Sequence, residues 1–111
     1  RLSQHFHPHL TIETDGVQET IPANIGILPN CMAETHTHDT SDTIHVEAAS
    51  SSKEFNLGQF FAVREQPIER PGYILEVKID GQVMDLEQGK PEDIVLKDKQ
   101  TIVLQYKKSE P

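Results

Sequence analysis

Tyr73-Ile-Leu-Glu-Val-Lys-Ile-Asp-Gly81, answered further on by Thr101-Ile-Val-Leu-Gln-Tyr106, decides how the rest of this chain is arranged. Tyr73, Leu75, Val77 and Ile79 alternate with Ile74, Glu76, Lys78 and Asp80. Side chains on a strand point to opposite faces in turn, so this is a strand with one buried face. Asp80-Gly81 opens a tight turn toward Val83-Met84. The later run carries Ile102, Leu104 and Tyr106 against Val103, apolar on both faces as expected of a central strand. Upstream, Asn56-Leu-Gly-Gln59 has the form of a capping box, with Asn56 as N-cap and Gln59 reaching back. Phe60, Phe61 and Val63 follow and Pro67 stops the pattern, which predicts a helix over about 57–66.

The N-terminal part supplies the other strands. Phe6, Leu10 and Ile12 alternate with His5, His7, His9, Thr11 and Glu13, which predicts one strand with its imidazoles turned from the core. Pro8 lacks a backbone donor, so residues 5–8 should be an edge, a bulge or a lead-in. Asp15-Gly16 predicts a hairpin between Thr14 and Val17, and the strand from Val17 to Ile21 ends at Pro22. Ile25-Gly-Ile-Leu-Pro29 is an apolar connection expected to plug one end of the core, and Ala48 to Lys53 is a Ser-rich loop. Pro91 to Leu96 reads as a short irregular or single-turn element. The order is hairpin, insertion, helix, strand, short crossover, final strand. It predicts an α+β fold: a β-grasp-like mixed sheet on one helix, with an inserted histidine-bearing hairpin and the last strand parallel beside the first. A small cupredoxin-like β-sandwich is the alternative. One domain spans residues 1–111, with a folded core over 5–106 and a charged, disordered tail over 107–111.

The insertion carries the chemistry. All six histidines lie in the first 45 of 111 residues, as His5-x-His7-x-His9 and within Glu34-Thr-His36-Thr-His38-Asp39-Thr-Ser-Asp42-Thr-Ile-His45-Val-Glu47. With Ser41-Asp42 as a two-residue turn, His38 falls opposite His45 and His36 opposite Glu47. Opposed residues lie about 4.5–5.5 Å apart at Cβ, so three imidazoles and a carboxylate converge on one face. Neutral imidazole ligates Zn, Cu, Ni or Fe. The metal set read from this pattern is His7, His9, His36, His38 and His45, with His5 peripheral. Four donors close a tetrahedral zinc site, and three leave a position for water. Asp39 and Glu47 are candidate outer acceptors that orient the rings, and Glu47 is also a possible ligand. Asp42 serves the turn. Cys31 and Met32 are possible soft ligands for Cu(I), or else a small buried thiol and a gap-filling thioether.

Composition narrows the function. A net charge of −8 and a pI near 5.1 argue against nucleic acid and anionic membrane surfaces. No apolar run approaches the ~20 residues that span a bilayer. The single Cys31 excludes an internal disulfide framework and leaves pairing with another chain, hence a homodimer, open. A chain beginning at Arg1 without methionine reads as a trimmed or mature product whose address or anchor has been removed.

Two resemblances add to this. Leu75-x-Val77-x-Ile79-Asp80-Gly81, with Asp93-Ile94-x-Leu96-Lys-Asp98-Lys-x-x-Ile102-x-Leu104, resembles the tails of ubiquitin-like sulfur carriers. Those finish in Gly-Gly and this chain in Lys107-Lys-Ser-Glu-Pro111, so carrier chemistry does not transfer. Taken together, His5-x-His7-x-His9-Leu10, Ile21-Pro-Ala-Asn-Ile-Gly-Ile27, Cys31-Met32, His36-Thr-His38-Asp39, Ile44-His45-Val-Glu47 and Leu57-Gly-Gln-Phe-Phe61 resemble a family of small bacterial and archaeal domains. These are mostly exported, functionally uncharacterised, and free-standing or attached to thioredoxin-like or membrane-bound segments. The resemblance implies a periplasmic or extracellular setting and a membrane-anchored or thioredoxin-like partner, and no activity.

The expected function is therefore a non-enzymatic, extracytoplasmic copper or zinc carrier, buffer or sensor. A cupin-like metalloenzyme is an alternative, but it calls for Glu separated by three or four residues from His-x-His, where this chain has Asp42 and Thr43. A structural or docking module with pH-sensitive histidines is the other.

Overall fold

The sheet is organised around the chain's last strand. The structure, a computed structural model, describes residues 2–109. In it ten strands form: β1 (Gln4–Phe6), β2 (His9–Thr14), β3 (Val17–Glu19), β4 (Ile27–Leu28), β5 (Cys31–Met32), β6 (Thr35–His36), β7 (His45–Ala48), β8 (Tyr73–Ile79), β9 (Gln82–Val83) and β10 (Thr101–Lys108). One α-helix, α1 (Leu57–Arg64), and a 3-10 turn at Pro91–Asp93 complete the described elements. β10 lies at the centre of a five-stranded mixed sheet ordered β3-β2-β10-β8-β9. It runs parallel to β2, with Ile102 opposite Leu10 and Leu104 opposite Ile12, and antiparallel to β8, with Leu104 opposite Val77. The expected parallel partner of the last strand is thus present in β2, the later half of the strand expected from His5 to Glu13. Both Asp-Gly turns form as read: Asp15 and Gly16, like Asp80 and Gly81, all have positive φ, as a two-residue hairpin turn of this hand requires.

α1 begins where its cap dictates. The Asn56 side chain accepts from the Gln59 N–H at 2.9 Å, and Gln59 Oε1 accepts from the Asn56 N–H at 2.7 Å. The helix ends at Arg64, short of 66, because Glu65 turns into the left-handed region and donates its N–H back to Ala62. Leu57, Phe60 and Phe61 are buried in one cluster with Leu10, Ile12, Val77, Ile102, Leu104 and Tyr106. Fully burying each such side chain contributes about 1.5–3 kcal/mol.

Three expectations need correction. The single strand from His5 to Glu13 is two strands, since the chain leaves one sheet at His7-Pro8 and enters another. β1 pairs with β7, in a three-stranded antiparallel sheet ordered β1-β7-β6, whereas β2 joins β10. Pro8, which lacks a donor for either ladder, is buried at the crossing, where its carbonyl accepts from Ile44 N at 2.9 Å. Next, Lys107 and Lys108 are not a disordered tail: they extend β10 opposite Ile74 and Tyr73, and Ser109 N donates to the Gly72 carbonyl at 2.9 Å. Glu110 and Pro111 lie outside the described residues. Finally, of the apolar connection only Ile25 packs against the core; Ile27 and Leu28 pair with Cys31 and Met32 in a separate two-stranded hairpin, and Leu28 is exposed. No helix among the described residues is long and apolar enough to cross a membrane.

Candidate metal centre

β7 sets the site by strict alternation. Val46 and Ala48 are buried and face the core, so His45 and Glu47 share the outer face of the three-stranded sheet. On one side His36 stands opposite His45, and on the other His5 stands opposite Glu47. Parity alone therefore puts His5, Glu47, His45 and His36 on one face. His7 and His38, just beyond the ends of β1 and β6, bring their rings to the same place. Ring centroids lie 4.7 Å apart for His7 and His45, 4.5 Å for His38 and His45, and 4.7 Å for His36 and His38. His36 and His45 are stacked at 5.7 Å.

Two groups of donor atoms result, each with all its members within 4.8 Å of one another: His36, His38, His45 and Glu47, and His5, His7 and His45. These groups could hold a metal ion. Donors at bonds near 2.0–2.1 Å in a tetrahedron sit roughly 3.3–3.4 Å apart, so the donors of the first group would draw in by up to about 1.4 Å to close on an ion.

His36 is the fixed point. It is fully buried, and its Nδ1 lies 2.7 Å from the Ala33 carbonyl oxygen. A carbonyl only accepts, so Nδ1 carries a proton and donates; in the neutral ring the lone pair then sits on Nε2. Nε2 is buried, finds no hydrogen-bond partner among the described residues, and lies 3.4 Å from Glu47 Oε1. The same carboxylate oxygen is 3.5 Å from His5 Nε2. The ring of His45 is held below the usual histidine range first by desolvation, then by the neighbouring imidazoles of His38, His7 and His36, with Glu47 opposing. That favours the neutral, ligand-competent form at neutral pH.

The hairpin register differs from the one read in the sequence. His36, not His38, faces His45, and residues 37–44 form a longer loop instead of a two-residue turn at Ser41-Asp42. That loop is tied to β2: Leu10 N donates to the Asp42 carbonyl at 2.8 Å, and Thr43 bridges to His9. Asp42 has positive φ and accepts from Gln18 Nε2 at 2.6 Å. Asp39 does not orient a ring through a hydrogen bond. It accepts from the hydroxyl and N–H of Ser41, which hold its carboxyl below the usual range, and the nearby His45 and His38 rings push weakly the same way.

The sequence reading also exchanged two histidines. His9 belongs to neither group; it is exposed, with Nδ1 3.3 Å from Thr43 Oγ1. His5, expected to be peripheral, joins His7 and His45. Cys31 is exposed, not a buried thiol, and belongs to neither group. Met32 is half exposed beside it on the β4–β5 hairpin. The Ala33 carbonyl was missed altogether, since a main-chain acceptor leaves no signal in residue type. The chain matches no family model, no curated protein and no solved structure.

Proposed function

We propose that this chain is a transition-metal-binding domain that holds one ion on His36 Nε2, His38, His45 and Glu47. The observation that carries the reading is the His36 Nε2 atom. Its lone pair is buried without a partner and faces a carboxylate oxygen 3.4 Å away. A neutral Nε2 and a carboxylate oxygen in that arrangement repel unless a proton or a metal ion joins them, and an orphaned buried acceptor itself costs about 1–3 kcal/mol. An ion removes both penalties.

Three imidazoles and one carboxylate suit zinc in a closed tetrahedral site, and Cu(II) competes through its higher intrinsic affinity. With Cys31 and Met32 outside the cluster, the argument for Cu(I) lapses. Four protein donors leave no position for substrate, which favours a carrier, buffer or sensor over an enzyme. Nitrogen and oxygen ligands resist oxidation, and this suits a periplasmic or extracellular setting. We read the scaffold as a β-grasp: a hairpin, one helix, and a final strand returning parallel beside the hairpin's opening strand, with β6 and β7 of the histidine sheet inserted between hairpin and helix and β1 joining them from before the hairpin.

The test is metal content by elemental mass spectrometry after dialysis, followed by competitive titration with Zn(II), Cu(II) and Cu(I). About one equivalent should be retained, as for a single structured site, and lost in a His38→Ala/His45→Ala variant. Nothing retained, or several weak equivalents indifferent to that variant, refutes the proposal.

A further inference from the structure

His45 belongs to both donor groups, and this imposes a choice. A neutral imidazole has one lone pair, since its other nitrogen carries the proton. His45 therefore ligates one ion at a time, and the two groups are alternative positions for one ion rather than two independent sites. They also differ in depth. The His5 side chain is 51% exposed and that of His36 is fully buried, with Glu47 Oε1 between them at 3.5 and 3.4 Å. The His7 ring spans the remaining gap, 4.9 Å from the His5 ring and 4.7 Å from that of His45.

We propose that His5, His7 and His45 form a loading site, from which the ion passes to the inner set by ligand exchange. Resting on the metal-binding reading above, this assigns the route by which that site fills and empties. Bonds to His5, His7 and the water that completes the three-histidine site break as bonds to His36, His38 and Glu47 form, with His45 common to both sets. At each stage one donor replaces another, so the ion never sheds its whole coordination sphere at once, which is the step that makes direct entry to a buried site slow.

A route off the resting state changes rates without changing equilibrium, and that separates loading from ligation. The experiment is stopped-flow transfer of Zn(II) between the protein and a chromophoric chelator, in both directions, with stoichiometry and affinity from competition at equilibrium. A His5→Ala/His7→Ala variant should bind the same single equivalent with affinity within about threefold, while uptake and release both slow by about tenfold. A His5→Gln/His7→Gln variant repeats the measurement should the alanine pair fail to fold. Unchanged rates overturn the loading site alone. Affinity lost as severely as in an inner-site variant shows that His5 and His7 ligate the resting ion, and two equivalents in the wild type show both sets filled together; either result overturns the proposal. Wild-type protein that takes up no ion overturns this inference and the metal-binding reading with it.

Discussion

Replacing His36 with leucine separates what the site does for the fold from what it does for an ion. Leucine is of similar volume and suits the fully buried position. Without metal the change has two opposed effects. The Ala33 carbonyl loses its 2.7 Å donor, which costs about 1–3 kcal/mol if that oxygen stays dry. The unpartnered Nε2 disappears, which returns a comparable penalty. The metal-free proteins should therefore differ by no more than about 1–2 kcal/mol. With metal the two diverge. At free zinc roughly a thousandfold above Kd, the wild type gains about 4 kcal/mol by mass action. At roughly 4–8 °C per kcal/mol for a chain of this size, that raises Tm by roughly 15–30 °C. The variant, lacking the anchored donor, should keep only a small part of that rise. Thermal unfolding followed by circular dichroism, in chelator and across a zinc series, reads both quantities. A variant still stabilised by zinc as strongly as the wild type would show that His36 is no ligand. A metal-free variant that no longer folds would show His36 to be chiefly a core group, and the reasoning from its orphaned nitrogen would fail.

Two further outcomes test the scaffold. Gly26 has φ +76, and a Cβ there would lie 2.9 Å from Val63 Cγ1 and 3.0 Å from the Thr35 carbonyl oxygen, so Gly26→Ala should cost about 1–3 kcal/mol in urea unfolding. Little or no loss would mean that the segment bracing β6 is free to shift. Glu19 is held at a pKa of about 2, mainly by its hydrogen bonds from Arg70 at 2.7 and 2.9 Å. A depressed carboxyl pKa stabilises the fold above the unfolded value near 4.5 and ceases to do so as pH falls through 2. After allowance for partial exposure, the advantage of wild type over Glu19→Gln should be about 1–2 kcal/mol at pH 7 and fade between pH 4.5 and 2. A pH-independent difference would locate the effect in packing of Arg70 on the Tyr106 ring, 4.0 Å away.

What the sequence disclosed was what neighbours along the chain decide. Asp15-Gly16, Asp80-Gly81 and the Asn56–Gln59 box each act within four residues, and each formed as read. The pairing of β2 with β10 was legible because alternation fixed which faces met. The site was legible in membership more than in arrangement. His36, His38, His45 and Glu47 converge, but the register turned on contacts of the 37–44 loop with β2, which no local turn signal encodes. The exchange of His5 for His9 has one cause: counting by twos across Pro8 assumed an unbroken strand, and the change of sheet there cancels the parity. Cys31 misled because a lone cysteine is usually buried, while here it sits at the end of a two-residue strand whose partner is itself exposed.

The central place of β10 also governs when the protein can exist. Its ladder with β2 joins residues 101–106 to residues 9–14, nearly the full span of the described chain. The five-stranded sheet cannot close until almost all of that chain is present, and contacts so distant along a polymer form slowly. A nascent chain would hold every histidine long before it had the strand that completes the main sheet. If the chain binds metal as proposed, its imidazoles are open to any passing ion during that interval, and the order of synthesis and metal supply becomes part of how the protein matures. Truncation before Thr101 should leave an unfolded, histidine-bearing chain rather than a smaller working one.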